Sequence, residues 1–211
     1  MNSLQQIGKK YSTDKSMHIN FNKSYLDIYE TYFKDIRNQK LNILEIGVRN
    51  GNSIRVWEEY FPNSNIFGLD IDPICKQFET NRTKIIIGSQ GDEATINEAL
   101  KLANNKFDII IDDGAHINDL MIRSYKLLFN YVSPNGLYII EDLANSYHKD
   151  IKEQIIIGGW PGMKYNKDYD EFMNDRDTMD EFFNSIIHEV DGVQNVQYVH
   201  FYPWISIIRK K

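Results

Sequence analysis

The chain has one cysteine, five prolines and no long hydrophobic run. A lone Cys75 cannot close an internal disulfide, which argues against a disulfide-stapled secreted scaffold and for a reducing compartment such as the cytoplasm. The longest apolar stretches, such as Ile109 to Ile111 and Ile155 to Ile157, fall far short of the roughly 20 residues needed to span a bilayer, so membrane insertion is not expected. The opening MNSLQQIGKKYSTDKS lacks the apolar core and small-residue cleavage site of a secretory signal. Positive charge is also in short supply: 24 Lys and Arg face 30 Asp and Glu, a formal charge of -6, so no basic surface points to a nucleic-acid partner.

What is present is an ordinary globular composition, 42% hydrophobic and 26% charged over 211 residues, read as a single domain. Tyr25, Ile28, Tyr29, Tyr32, Phe33 and Ile36 recur at helical spacing and predict an amphipathic helix over 22–37, its aromatics in the core. Strands are predicted at 41–48, 66–71, 84–87, 107–112 and 137–140, with helical stretches near 53–60, 73–80, 92–104 and 117–131. Strands apolar on both faces and alternating with helices imply a doubly wound, mostly parallel α/β sheet. A helix at 178–188 and two closely spaced strands, 196–201 and 204–208, would add an antiparallel hairpin and bring the sheet to seven strands. The organisation expected is an N-terminal helical region (1–40), a binding core (41–143), a polar and aromatic substrate lid (144–180), and a terminal helix and hairpin (181–211). Tyr147, Trp160 and Tyr165 are candidates to stack on a ligand in that lid, and equally can serve only to pack a long loop. Exposed aromatics of the first helix and the hairpin can serve a homo-oligomer, although internal packing explains them as well.

The chemistry concentrates at strand ends. Glu45-x-Gly47-x-x-x-Gly51 opens a helix, and Gly47 and Gly51 allow main chain to approach a ligand. This spacing is not the G-x-G-x-x-G of nicotinamide enzymes. Asp70, at the end of the second strand, is placed to bind ribose hydroxyls, and Asp72, before Pro73, to cap the next helix. Gln90 and Asp92 follow the third strand, where an adenine edge would lie, though Asp92 can equally cap a helix. Asp112, Asp113 and His116 crowd the end of a buried strand, and Glu141 and Asp142 end the next. Such charges seldom serve packing, and a hard divalent cation would relieve their repulsion.

These residues together resemble class I S-adenosylmethionine-dependent methyltransferases, whose fold closes with an antiparallel strand pair. Asp112-Asp113-Gly114-Ala115-His116 and Glu141-Asp142-Leu143 are similar to the metal-dependent O-methyltransferases acting on sugars of macrolide and aminocoumarin antibiotics, and Tyr11-Ser12-Thr13-Asp14-Lys15 to that family's Tyr-Gly-Thr-Asp-Lys. Ala115 stands where the family has serine, and Ala144-Asn145 where it has His-Thr. The resemblance implies S-adenosylmethionine and Mg²⁺ as cofactors, and methylation of a small-molecule sugar acceptor that can be nucleotide-linked. It implies Asp113, Glu141 and Asp142 as metal ligands and His116 as general base. On the donor side it implies Glu45, Gly47, Gly51, Asp70, Gln90, Asp112, Thr13 and Lys15, with Lys15 and His18 near donor or acceptor. Two other classes compete: a nonheme iron oxygenase, which wants a second histidine, and a non-catalytic nucleoside-binding scaffold, which needs no His116 beside four acids.

Overall fold

The computed structural model describes residues 2–17, 23–147 and 174–211. Helix α1 (Leu4–Tyr11) starts at a reciprocal Ser3/Gln6 capping box, and α2 (Tyr25–Phe33) at another formed by Ser24 and Asp27. That second box sets the start of α2 three residues inside the 22–37 stretch suggested by periodicity. The parallel strands β1 (Asn42–Ile46), β2 (Asn65–Asp70), β3 (Thr83–Ile87), β4 (Phe107–Asp112) and β5 (Val132–Ile140) are joined through α3 (Asn52–Tyr60), a 3-10 turn (Pro73–Phe78), α4 (Glu93–Leu102) and α5 (Asn118–Leu128). The second connection is thus tighter than the helix expected at 73–80. Asp72 caps it, accepting from the Ile74 N–H at 3.0 Å, and Asp92 caps α4 through the Thr95 N–H at 2.9 Å.

Helix α6 (Arg176–Asp191) leads into β6 (Val196–Tyr202) and β7 (Ile205–Lys210). The sheet has seven strands in the order β3-β2-β1-β4-β5-β7-β6, with β7 antiparallel to both its neighbours. This is the class I methyltransferase arrangement. One face buries Leu44, Phe67, Ile110 and Tyr138 against α4, α5 and α6, and the other buries Ile43, Ile66, Ile109 and Ile139 against α1, α2 and α3. Alternation along each strand sends neighbouring residues to opposite layers, so a fully buried sheet needs apolar residues at nearly every position.

The hairpin also reaches the functional edge. Its two-residue turn holds Trp204 at a positive φ of 68°, and the Trp204 carbonyl accepts from the Leu143 N–H at 3.0 Å, tying the turn to the chain that follows β5. No helix among the described residues is long and apolar enough to cross a membrane. Trp160, Tyr165, His18 and most of the expected lid lie outside the described residues.

Candidate active site

A cavity of about 290 Å³ opens at the carboxyl ends of β1, β2, β3 and β4, where β1 and β4 lie side by side but run into helices on opposite faces. This is the topological switch point at which open α/β sheets collect ligands. Its volume stands at the lower end of the range for small-molecule pockets, roughly 300 Å³ upward.

One wall is main chain. After β1 the backbone turns at Gly47 (φ 91°), Arg49 (φ 51°) and Gly51 (φ 70°). Asp70 fixes that turn: its Oδ2 accepts from the N–H groups of Val48 and Arg49 at 2.8 and 2.9 Å, and its Oδ1 from that of Asp72 at 2.9 Å. The Cys75 side chain lies against the same carboxylate, which itself lines the cavity. The two glycines turn out to accommodate protein as well as any ligand. A Cβ at Gly47 would stand 2.0 Å from the Asp113 carbonyl oxygen, and one at Gly51 would stand 2.5 Å from the Phe78 ring. Gly47 lines the cavity and Gly51 does not.

The opposite wall is charge. Asp113, His116 and Asp142 line the cavity together, with ligand atoms all within 4.8 Å of one another. His116 Nε2 is 3.8 Å from Asp113 Oδ1 and 3.6 Å from Asp142 Oδ2. His116 and Asp142 both hold a φ of 54°, a left-handed conformation that histidine and aspartate adopt more readily than most residues. Such strain gathers where the surrounding structure enforces it, as it does at functional sites. Asn174 supplies part of that enforcement. Its Nδ2 donates to the carbonyls of His116 and Asn145, both at 3.0 Å, and its Oδ1 accepts from the Asn118 N–H at 2.9 Å.

Behind Asp113 and Asp142 lies a closed layer. Glu141 is buried, its Oε1 accepting from the Tyr29 hydroxyl at 2.5 Å and its Oε2 from Lys15 at 2.8 Å. Tyr25 donates its hydroxyl to Asp142 Oδ1 at 2.7 Å. Lys15 also bonds Asp113 Oδ2 and lies 3.6 Å from Glu45 Oε1, while Ser53 donates to Glu45 Oε2 at 2.6 Å. Burial pushes Glu45 up to about 7 against the pull of Lys15, and drives Glu141 well above the usual carboxylate range. Burial works against the Lys15 charge too, yet the surrounding carboxylates outweigh it and keep the ammonium protonated.

On the other side of β4, Asp112 is sealed among Gln90, Ser124 and Tyr138, with Ser124 Oγ donating to it at 2.5 Å. Burial pushes its carboxyl up to about 6. Gln90 Nε2 donates to Asp112 at 3.0 Å while its Oε1 accepts from the Ala115 N–H at 2.8 Å, so this network braces the loop carrying His116.

Of the residues singled out by sequence, Thr13, Gly47, Asp70, Gln90, Asp113, His116 and Asp142 line the cavity, whereas Glu45, Gly51, Asp112, Lys15 and Glu141 stand behind its wall. The reason is strand alternation together with burial: charged residues at strand ends find partners inside the protein before they reach the opening. Tyr25, Tyr29 and Asn174 were not singled out as site residues. The spacing of the two tyrosines, one helical turn apart on a buried face, carried the signal for Tyr25 and Tyr29, since a buried hydroxyl requires a partner. Nothing local marks Asn174.

No family model matches the sequence. Among curated proteins it is similar to demethylmacrocin O-methyltransferase of Streptomyces fradiae, 33% identical over 172 residues covering 78% of this chain and 39% of that protein. It is also similar to mycinamicin VI 2''-O-methyltransferase of Micromonospora griseorubida, 35% identical over 75% of this chain and 37% of that protein. Among solved structures it resembles the MycE methyltransferase of the mycinamycin biosynthetic pathway in complex with Mg, SAH and mycinamycin VI. That match has a TM-score of 0.75 and 30% identity, covering 99% of this chain and 54% of that one. The chain therefore spans well under two thirds of the length of these relatives. By fold, and by sequence over most of its own length, it is a class I methyltransferase-type protein related to the macrolide-sugar O-methyltransferases.

Proposed function

We propose that this protein transfers the methyl group of S-adenosylmethionine to a sugar hydroxyl of a glycosylated small molecule, with a divalent cation such as Mg²⁺ assisting. The observation that carries the reading is the Asp113–His116–Asp142 cluster opening on a cavity at the β1/β4 switch point. The relatives support the same chemistry: two are named for O-methylation of macrolide glycosides, and the solved one was crystallised with Mg and SAH.

The residues present fit both groups. Thr13, Gly47, Asp70 and Gln90 line the part of the cavity where the nucleoside would lie, with Asp70 at the end of β2 where a ribose would be recognised. The oxygen-rich donor set of Asp113 and Asp142, backed by Glu141, suits a hard cation, and one histidine with two carboxylates is not the two-histidine facial triad of nonheme iron oxygenases. When bound, the cation lowers the pKa of the acceptor hydroxyl and stabilises its alkoxide character. His116 Nε2 takes the hydroxyl proton as the oxygen–methyl bond forms and the sulfur–methyl bond breaks, leaving a neutral thioether. Asp113 and Asp142 stabilise the imidazolium so formed. The main-chain wall holds donor against acceptor in attack geometry. We assign the reaction to the cytoplasm, where a single buried thiol is at home.

Calorimetric titration of metal-stripped protein with S-adenosylhomocysteine, followed by transfer assays on glycosylated macrolides with Mg²⁺ or EDTA, tests this. Expected are nucleoside binding without metal and turnover only with it. Folded protein that binds no nucleoside, or turnover undiminished in EDTA, would sink the proposal.

A further inference from the structure

Lys15 is the most enclosed cation among the described residues, 1% exposed, and it does not line the cavity although its neighbours Thr13 and Asp14 do. Its turn is pinned: the Asp14 side chain accepts from the Lys15 N–H at 2.9 Å, Ser16 Oγ donates to the Thr13 carbonyl at 2.7 Å, and Gln5 donates to the Ser16 carbonyl at 3.0 Å. From there the ammonium meets Glu141 at 2.8 Å, Glu45 at 3.6 Å and, closer still, Asp113. A buried ammonium persists only with such compensation.

The division of oxygens is informative. At Asp113, Lys15 holds Oδ2 and leaves Oδ1 facing His116; at Glu141, Lys15 holds Oε2 and Tyr29 holds Oε1. The ammonium thereby fixes the side-chain rotation of Asp113, which joins the closed layer to the cavity. It also offsets charge: Asp113, Glu141 and Glu45 all lie within 3.6 Å of the one ammonium, and Asp142 stands beside Asp113 at the cavity.

We infer that Lys15 is a positioning residue, a permanent counter-cation that orients Asp113 and stays in place when a divalent ion binds, and neither a donor contact nor a place-holder for the metal. This deepens the metal-assisted reading and rests on it.

The test uses the whole chain labelled with ¹⁵N-lysine. A buried, slowly exchanging ammonium signal, assigned by its loss in Lys15→Arg, is expected to shift on saturation with Mg²⁺ and to persist. Its collapse to the position of solvent-exposed lysines would overturn the inference. In Lys15→Met, removal of a neighbouring positive charge is expected to tighten Mn²⁺ binding by at least about tenfold. Affinity for S-adenosylhomocysteine should stay within about threefold, and Lys15→Arg should restore the wild-type Mn²⁺ affinity. Unchanged or weaker Mn²⁺ binding, or selective loss of the nucleoside, would overturn it; if Lys15→Met does not fold, the wild-type spectrum decides alone. A wild-type protein that ignores Mg²⁺ defeats this inference and the metal-assisted reading together, whereas one that takes Mg²⁺ but no nucleoside defeats the methyltransferase reading only.

Discussion

At the ends of β1 and β2 the cavity wall is main chain held by one carboxylate, whereas at the ends of β4 and β5 it is two carboxylates and a histidine backed by a buried cation. Asp70 organises three backbone N–H groups, and Lys15 organises three acidic side chains. The first wall offers shape and hydrogen-bond donors, which suits a ligand recognised by its outline. The second stores charge in a partly desolvated place, where electrostatic interactions are stronger than in water. The proposed reaction, which must both hold a nucleoside and move a proton, has use for one wall of each kind.

If the two walls are separable in function, damage to one should spare the other. The largest effect is expected for His116→Gln, which removes the proposed proton acceptor and should lower kcat by about 10²- to 10⁴-fold. S-adenosylhomocysteine affinity measured by calorimetry should hardly change, and a parallel loss of nucleoside binding would show that the walls are not independent. Gly47→Ala strikes where they touch. Its Cβ would meet the Asp113 carbonyl at 2.0 Å from a backbone already at a φ of 91°, so urea unfolding should report a loss of about 2–4 kcal/mol, with turnover and nucleoside binding falling together.

Asn174→Ala sharpens the comparison on the charged side alone. It strips the His116 and Asn145 carbonyls of a buried donor, a change of about 1–3 kcal/mol in unfolding free energy, and should lower kcat without altering nucleoside affinity. The smallest effect concerns Cys75, on the main-chain side, where burial pushes the thiol up to about 12 and its Sγ meets the Arg49 carbonyl at 3.4 Å. Native protein at pH 8 should therefore resist a thiol reagent that titrates one cysteine after denaturation. Rapid native labelling would mean that this wall opens more readily than its hydrogen bonds imply.

The two walls also differed in how far they could be read in advance. Around Asp70 the chain is nearly local: a glycine turn, an acid about 20 residues later and a proline-led cap follow from backbone rules, and the structure has them where spacing places them. Around Asp113 the acids are visible as residues, but their partners are not. Lys15 lies 98 residues from Asp113 in sequence and 126 from Glu141, and Tyr29 lies 112 from Glu141. Asn174 reaches His116 across 58 residues with no periodic or compositional mark.

By itself, then, the sequence determined the alternation of strands and helices, the parallel sheet, the closing hairpin and the strand ends at which chemistry would collect, because hydrophobic period, caps and turns act over a few residues. Only the tertiary structure decided which of those acids face the cavity and which are locked behind it. That choice depends on where a buried ammonium and two buried hydroxyls come to rest, and the cost of leaving any of them unpaired is settled among elements that meet only when the chain has folded.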